Sequence, residues 1–178
     1  MTDPTPEHRL PTPRTPGSYR IAMVCSGNIC RSPTAEVVLV SRLDDAGLGD
    51  LVDVASCGIG DWHVGKPMDP RSAAALTRAG YDASRHRAQQ LSDAWFVDYD
   101  LLLAMDAGHL RDLRSAGVAA GRVLMLRDFD PAEPGADVPD PYYGDPDGFE
   151  EVLAMVERAS GVLVTSLAGL LGGRLAGR

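Results

Sequence analysis

Two hydrophobic patterns alternate along the chain. Short, nearly unbroken apolar runs have the length and composition of buried strands: "YRIAMVC" (19–25), "LVDVAS" (51–56), "YDLLLAMD" (99–106) and "RVLMLRDF" (122–129). Between them lie stretches of helical composition that each close on a glycine: "TAEVVLVSRLDDAG" (34–47), "PRSAAALTRAG" (70–80) and "AGHLRDLRSAG" (107–117). Pro33 suits the first position of the first helix, with Ser32 before it as N-cap. The stretch 149–171 sets Val152, Met155, Val156, Val162 and Leu163 along one long helix, with Gly161 as its weak point.

Strands alternating with helices predict an α/β fold. The expected form is three-layered: a central four-stranded parallel sheet with helices on both faces, joined by right-handed crossovers. Such sheets carry their chemistry at the carboxyl ends of the strands. The first strand ends in "VCSGNICRSP" (24–33), where the chain must turn into a helix. Residues 1–18 hold five of the thirteen prolines (Pro4, Pro6, Pro11, Pro13, Pro16) and no apolar period, so they read as a disordered tail ahead of a single domain at 19–178. An acidic, proline-rich loop precedes the last helix. Its span from Asp128 to Asp140 fits no standard cation site and reads as solvated.

Composition narrows the partners. A net charge of −8 argues against a nucleic-acid surface, which needs a basic face. Three cysteines fit free thiols in a reducing compartment, hence the cytoplasm, better than a disulfide framework. No apolar run approaches the roughly 20 residues of a membrane span, and the start of the chain lacks the apolar core of a signal peptide.

The turn at 24–33 is built for an anion. A helix start leaves backbone amides unpaired and adds roughly half a positive charge. Ser26, Gly27, Asn28, Ile29 and Cys30 form the loop; Gly27 permits close backbone approach and Asn28 tolerates a left-handed conformation. Such a loop makes a nest of amides, and Arg31 adds a fork that matches two phosphate oxygens. The same field favours a thiolate on Cys25, which becomes a nucleophile aimed at phosphorus. Cleaving a phosphate ester also needs an acid for the departing oxygen. Asp-Pro pairs at Asp69, Asp130, Asp140 and Asp145 all offer one, and composition does not choose among them.

With "CSGNICRSP" the chain resembles the low-molecular-weight protein tyrosine phosphatases, most of all the actinobacterial members. The likeness extends through "SCGIGDWHVGKPMDPRS", "HRAQQL", "LLLAMD" and "DPYYGD". It implies a phosphotyrosine hydrolase with Cys25 as nucleophile, Arg31 as phosphate ligand and Asp140 as general acid and base, passing through a phosphocysteine. It implies no metal and no other cofactor. Asn28, Ser32, Ser56 and His86 would hold the phosphate loop in shape, and Ser32 would help the phosphocysteine leave. Trp62, His63, Tyr142 and Tyr143 would wall the cleft for the aryl ring. Cys30 would lie beside Cys25 and guard it as a reversible disulfide, while Cys57 would only pack. The substrates would be phosphotyrosine proteins, and the enzyme a monomer or weak dimer. Asp106 reads as a helix N-cap, and His109 gives no signal.

Three rivals share the loop. An arsenate reductase needs cysteines downstream, and none follows Cys57. An arginine phosphatase of the family usually carries a smaller polar residue where this chain has Ile29. A phosphotyrosine-binding module without activity would be expected to lose Cys25, Arg31 or Asp140, and all three are present.

Overall fold

The computed structural model describes residues 10–175, with side chains given as far as 172. Four strands form one parallel sheet: β1 (Tyr19–Cys25), β2 (Val52–Gly58), β3 (Leu101–Ala104) and β4 (Val123–Met125), in the order β2-β1-β3-β4. The helices are α1 (Arg31–Asp45), α2 (Pro70–Arg78), α3 (Ala94–Asp98), α4 (Ala107–Ser115) and α5 (Asp147–Leu175). β1 is central and nearly all buried, as a strand covered on both faces must be. Its alternate residues serve different layers. Ile21 and Met23 join Val38 and Leu39 of α1 and Val152, Val156 and Leu163 of α5. Ala22 and Val24 face Leu113 of α4, with Trp95 and Phe96 of α3 against the same cluster.

The chain goes from β1 to β2 on one side and then to β3 on the other. That reversal opens a crevice at the carboxyl ends of β1 and β3, where ligands of such sheets bind. Cys25 stands at one lip of this crevice. Asp106, just past β3, stands at the other.

Several boundaries differ from the sequence reading. α1 begins at Arg31, with Cys30 as N-cap and no side-chain cap. Ser32 therefore lies inside the first turn, and its hydroxyl turns toward Cys25 and Asn28. The fourth strand stops at Met125, because Asp128 accepts the Met125 amide at 2.9 Å and tightens 126–129 into a 3-10 turn. α3 was not expected; five residues are too few to show a period. Gly161 leaves α5 unbroken.

Two larger corrections concern loops. Residues 10–18 are not loose. Leu10 is buried, Tyr19 Oη donates to Pro11 O at 2.9 Å, and the Arg14 amide donates to Asp100 Oδ1 at 2.6 Å. Their prolines fix a strap over the amino end of the sheet, and it gains its hold from those contacts. Residues 1–9 of the expected tail lie outside the described residues. The acidic loop is also not simply solvated. Asp130 is fully buried, held by Arg127 at 3.0 Å and Arg158 at 2.9 Å. Burial pushes its carboxyl up, but the bonds from Arg158, the Ala132 amide and Arg127 outweigh it and hold the group below the usual carboxylate range.

By length and composition alone, residues Asp147–Gly172 of α5 could cross a bilayer, contrary to the expectation from the apolar runs. In the fold, Val156, Ala159, Leu163 and Leu167 bury one face of this helix in the core.

Candidate active site

The turn after β1 needs two unusual backbone positions. Asn28 has φ of 59°, the one positive φ outside glycine among the described residues. Gly58 at the end of β2 lies against the loop; a Cβ there would sit 2.9 Å from Ser26 O and 3.1 Å from Asn28 N. A side chain at Gly58 would push the loop off the sheet.

Polar contacts lock this shape. Buried Asn28 donates through Nδ2 to Ser32 Oγ at 2.8 Å and to Ser56 Oγ at 2.9 Å. Its Oδ1 accepts the Gln89 amide at 3.0 Å, and His86 Nε2 lies 2.7 Å from its carbonyl. Ser56 donates to Glu36 Oε2 at 2.9 Å. Ser32 Oγ lies 2.9 Å from Cys25 Sγ, and the Asn28 amide donates to the same sulfur at 3.3 Å. The four residues expected to support the loop thus form one connected group, joined by Glu36 and Gln89, which the sequence did not single out.

Arg31 is buried and aimed. Its Nη1 donates to Asp106 Oδ2 at 2.8 Å and to Val138 O at 3.1 Å, while Nη2 lies 3.7 Å from Asp140 Oδ2. Asp106 also caps α4 through the His109 amide at 2.9 Å. Burial pushes the Asp106 carboxyl up, yet the His109 amide and Arg31 together hold it below its ordinary range. The N-cap expectation for Asp106 therefore names half its work. Its place past the central neighbour of β1 was the available signal. Asp69 caps α2 and pairs with Arg71, and Asp130 is structural, so neither reaches the crevice.

A cavity of about 430 Å³ opens above the loop. Cys25, Ser26, Gly27, Ile29, Cys30 and Arg31 line its floor; Trp62, His63, Asp140, Tyr142 and Tyr143 line its walls. Trp62 is 66% exposed and so is a wall rather than a core anchor. Tyr142 and Tyr143 meet edge-on at 4.8 Å, and Arg71 donates to Tyr142 O at 3.1 Å. The Asp140 carboxyl is half exposed, with Oδ1 accepting the Tyr142 amide at 3.1 Å. Cys30 and Cys57 are buried free thiols. Burial, then the charge of Asp69, pushes the Cys30 thiol up to about 12, and burial raises Cys57 as well. Among the described residues no cluster of three or more His, Cys, Asp or Glu side chains is arranged to hold a metal ion.

The family model described as low molecular weight phosphotyrosine protein phosphatase matches residues 20–169. The chain belongs to that family. It is 50% identical over 164 residues to a low molecular weight protein-tyrosine-phosphatase of Streptomyces coelicolor, covering 89% of this chain and 99% of that one. A crystal structure of a protein tyrosine phosphatase from Entamoeba histolytica, with Hepes in its active site, superposes with a TM-score of 0.81 at 28% identity, covering 85% of this chain and 98% of the other. An arginine phosphatase, solved as a mutant with a phosphorylated active-site serine, gives 0.75 at 30% identity over 83% and 95%. Cys25 and Arg31, at the turn from β1 into α1, fit the C-x5-R motif of this family.

Proposed function

We propose that the protein hydrolyses phosphotyrosine in proteins by covalent catalysis. One observation carries the reading: Cys25, Arg31 and Asp140 line a single cavity, with the carboxylate 3.7 Å from the guanidinium that would hold the phosphoryl group. Cys25 Sγ attacks phosphorus. The S–P bond forms as the P–O bond to tyrosine breaks, and the Asp140 carboxyl gives its proton to the departing oxygen. A water then surrenders a proton to the Asp140 carboxylate and attacks phosphorus, and the thiolate leaves, aided by the Ser32 hydroxyl. The loop amides and Arg31 stabilise the equatorial oxygens throughout. Asp106 and Val138 O fix Arg31 beforehand, so little reorganisation is needed at the reaction step.

The walls favour an aryl group. Trp62, Tyr142 and Tyr143 supply apolar faces for a ring, and the Ile29 side chain adds to them from the loop. The same reading makes the protein a cytoplasmic monomer or weak dimer acting on phosphotyrosine proteins, independent of nucleic acid, membrane, metal and cofactor. The net charge of −8 and the free thiols support it. Acid quenching during turnover of a phosphotyrosine peptide, followed by mass spectrometry, tests the mechanism. Phosphate on the peptide that carries Cys25 is expected; its absence when turnover is in steady state would contradict a covalent route.

A further inference from the structure

One buried titratable group beside the phosphate loop has no part in this mechanism. His109, in the first turn of α4, is buried, with Nε2 2.8 Å from Ser26 Oγ. Its Nδ1 has no hydrogen-bond partner among the described residues and faces Asp106 Oδ1 at 3.2 Å. A carboxylate only accepts. A bare Nδ1 lone pair would oppose it, so the proton of the neutral ring sits on Nδ1. Nε2 then accepts from the Ser26 hydroxyl. Ser26 lines the cavity, and with its hydroxyl proton committed to His109 its oxygen offers only lone pairs to an anion entering there.

We propose that His109 is a positioning residue of the phosphate cradle: when Nε2 takes a proton, it donates to Ser26 Oγ and frees the Ser26 hydroxyl hydrogen to bond a phosphoryl oxygen. The proton comes from solvent, and the imidazolium adds a positive charge behind the loop. The charged groups around the ring are Asp106 and Asp112 of its own helix, Arg31 of α1 and Asp140 of the acid loop. Burial pushes the imidazole down, Asp106 opposes this, and Arg31 adds to it, so the empty site keeps the ring neutral near pH 7. A bound phosphate dianion would offset Arg31 and favour the imidazolium. By linkage, phosphate must raise the proton affinity of His109 as much as the proton raises the affinity for phosphate. This inference rests on the phosphatase reading of the loop.

The test is calorimetric titration of inorganic phosphate into wild type, His109→Gln and His109→Ala from pH 5 to pH 8. Glutamine keeps a neutral amide within reach of Ser26, and taking the ratio of mutant to wild-type Kd cancels the ionisation of phosphate itself. The ratio is expected to rise at least about fivefold from pH 8 to pH 5 for His109→Gln, with His109→Ala weaker at every pH and equally sloped. A flat ratio would overturn the proposal. Proton NMR of wild type needs no variant to fold. The ring signal missing from His109→Gln should titrate at higher pH when phosphate is present, and an unmoved midpoint would overturn the proposal too. A wild type that binds no phosphate at any pH would overturn the phosphatase reading with it.

Discussion

Asp140 holds its post through two weak contacts, the Tyr142 amide at 3.1 Å and Arg31 at 3.7 Å, and half of its carboxyl faces solvent. Such a group is free to pass a proton to a leaving oxygen. Asp140→Asn is therefore expected to lower kcat on phosphotyrosine by about 10²–10⁴-fold, read in steady-state kinetics, with a smaller loss on an aryl phosphate whose phenolate leaves unaided. Cys30 is the opposite kind of residue. Its thiol, pushed up to about 12, stays protonated and resists direct oxidation; to act as a reserve partner for oxidised Cys25 it must lose that proton as it attacks. After a peroxide pulse and thiol treatment, Cys30→Ser should regain clearly less activity than wild type; equal recovery would remove that role. At this scale the sequence spoke clearly where chemistry forces a residue type. Cys25, Asn28 and Arg31 answer to a nucleophile, a left-handed turn and a phosphate fork. It was silent on Glu36 and His109 and named only the N-cap half of Asp106, because their work depends on where β3, α1 and α4 meet.

The acid loop is anchored as an element. Arg127 bonds Asp130 and also donates to Asp137 O at 2.7 Å; the Val138 amide then donates to Met105 O at 2.7 Å, and the Val138 carbonyl accepts from Arg31. Breaking the centre of this chain leaves the buried Arg127 guanidinium with only the exposed Glu133 carboxylate as its counter-charge. Asp130→Asn should cost roughly 3–5 kcal/mol in denaturant unfolding. The pH sign follows from the depressed carboxyl. Its contribution is complete above the unfolded value, near 4, and is lost as pH falls through the lower folded value. The stability gap between wild type and Asp130→Asn should thus narrow in acid below about pH 4. The periodicity of 149–171 and the apolar run 19–25 exposed α5 and β1 because each buries a whole face. The short α3 and the turn at 126–129 were hidden because tertiary contacts, not local period, define them.

The molecule as a whole separates its support from its chemistry. The strap at 10–18 binds the amino end of the sheet through Arg14 and Asp100, while Cys25 and Asp106 lie at the carboxyl end. Deleting residues 1–18 should lower Tm by several degrees and leave kcat/KM nearly unchanged; a large loss of kcat/KM would mean the ends are coupled. Proline content misled the reading of this strap, since composition reports what a segment does alone and not what Leu10 and Arg14 find on the sheet. The most direct test of the account is phosphate release from matched phosphotyrosine and phosphoarginine peptides in the presence of EDTA, with wild type and Cys25→Ser in parallel. The account predicts phosphotyrosine turnover that survives EDTA, vanishes in the mutant and exceeds release from phosphoarginine. Faster release from phosphoarginine, or activity retained by Cys25→Ser, would contradict it.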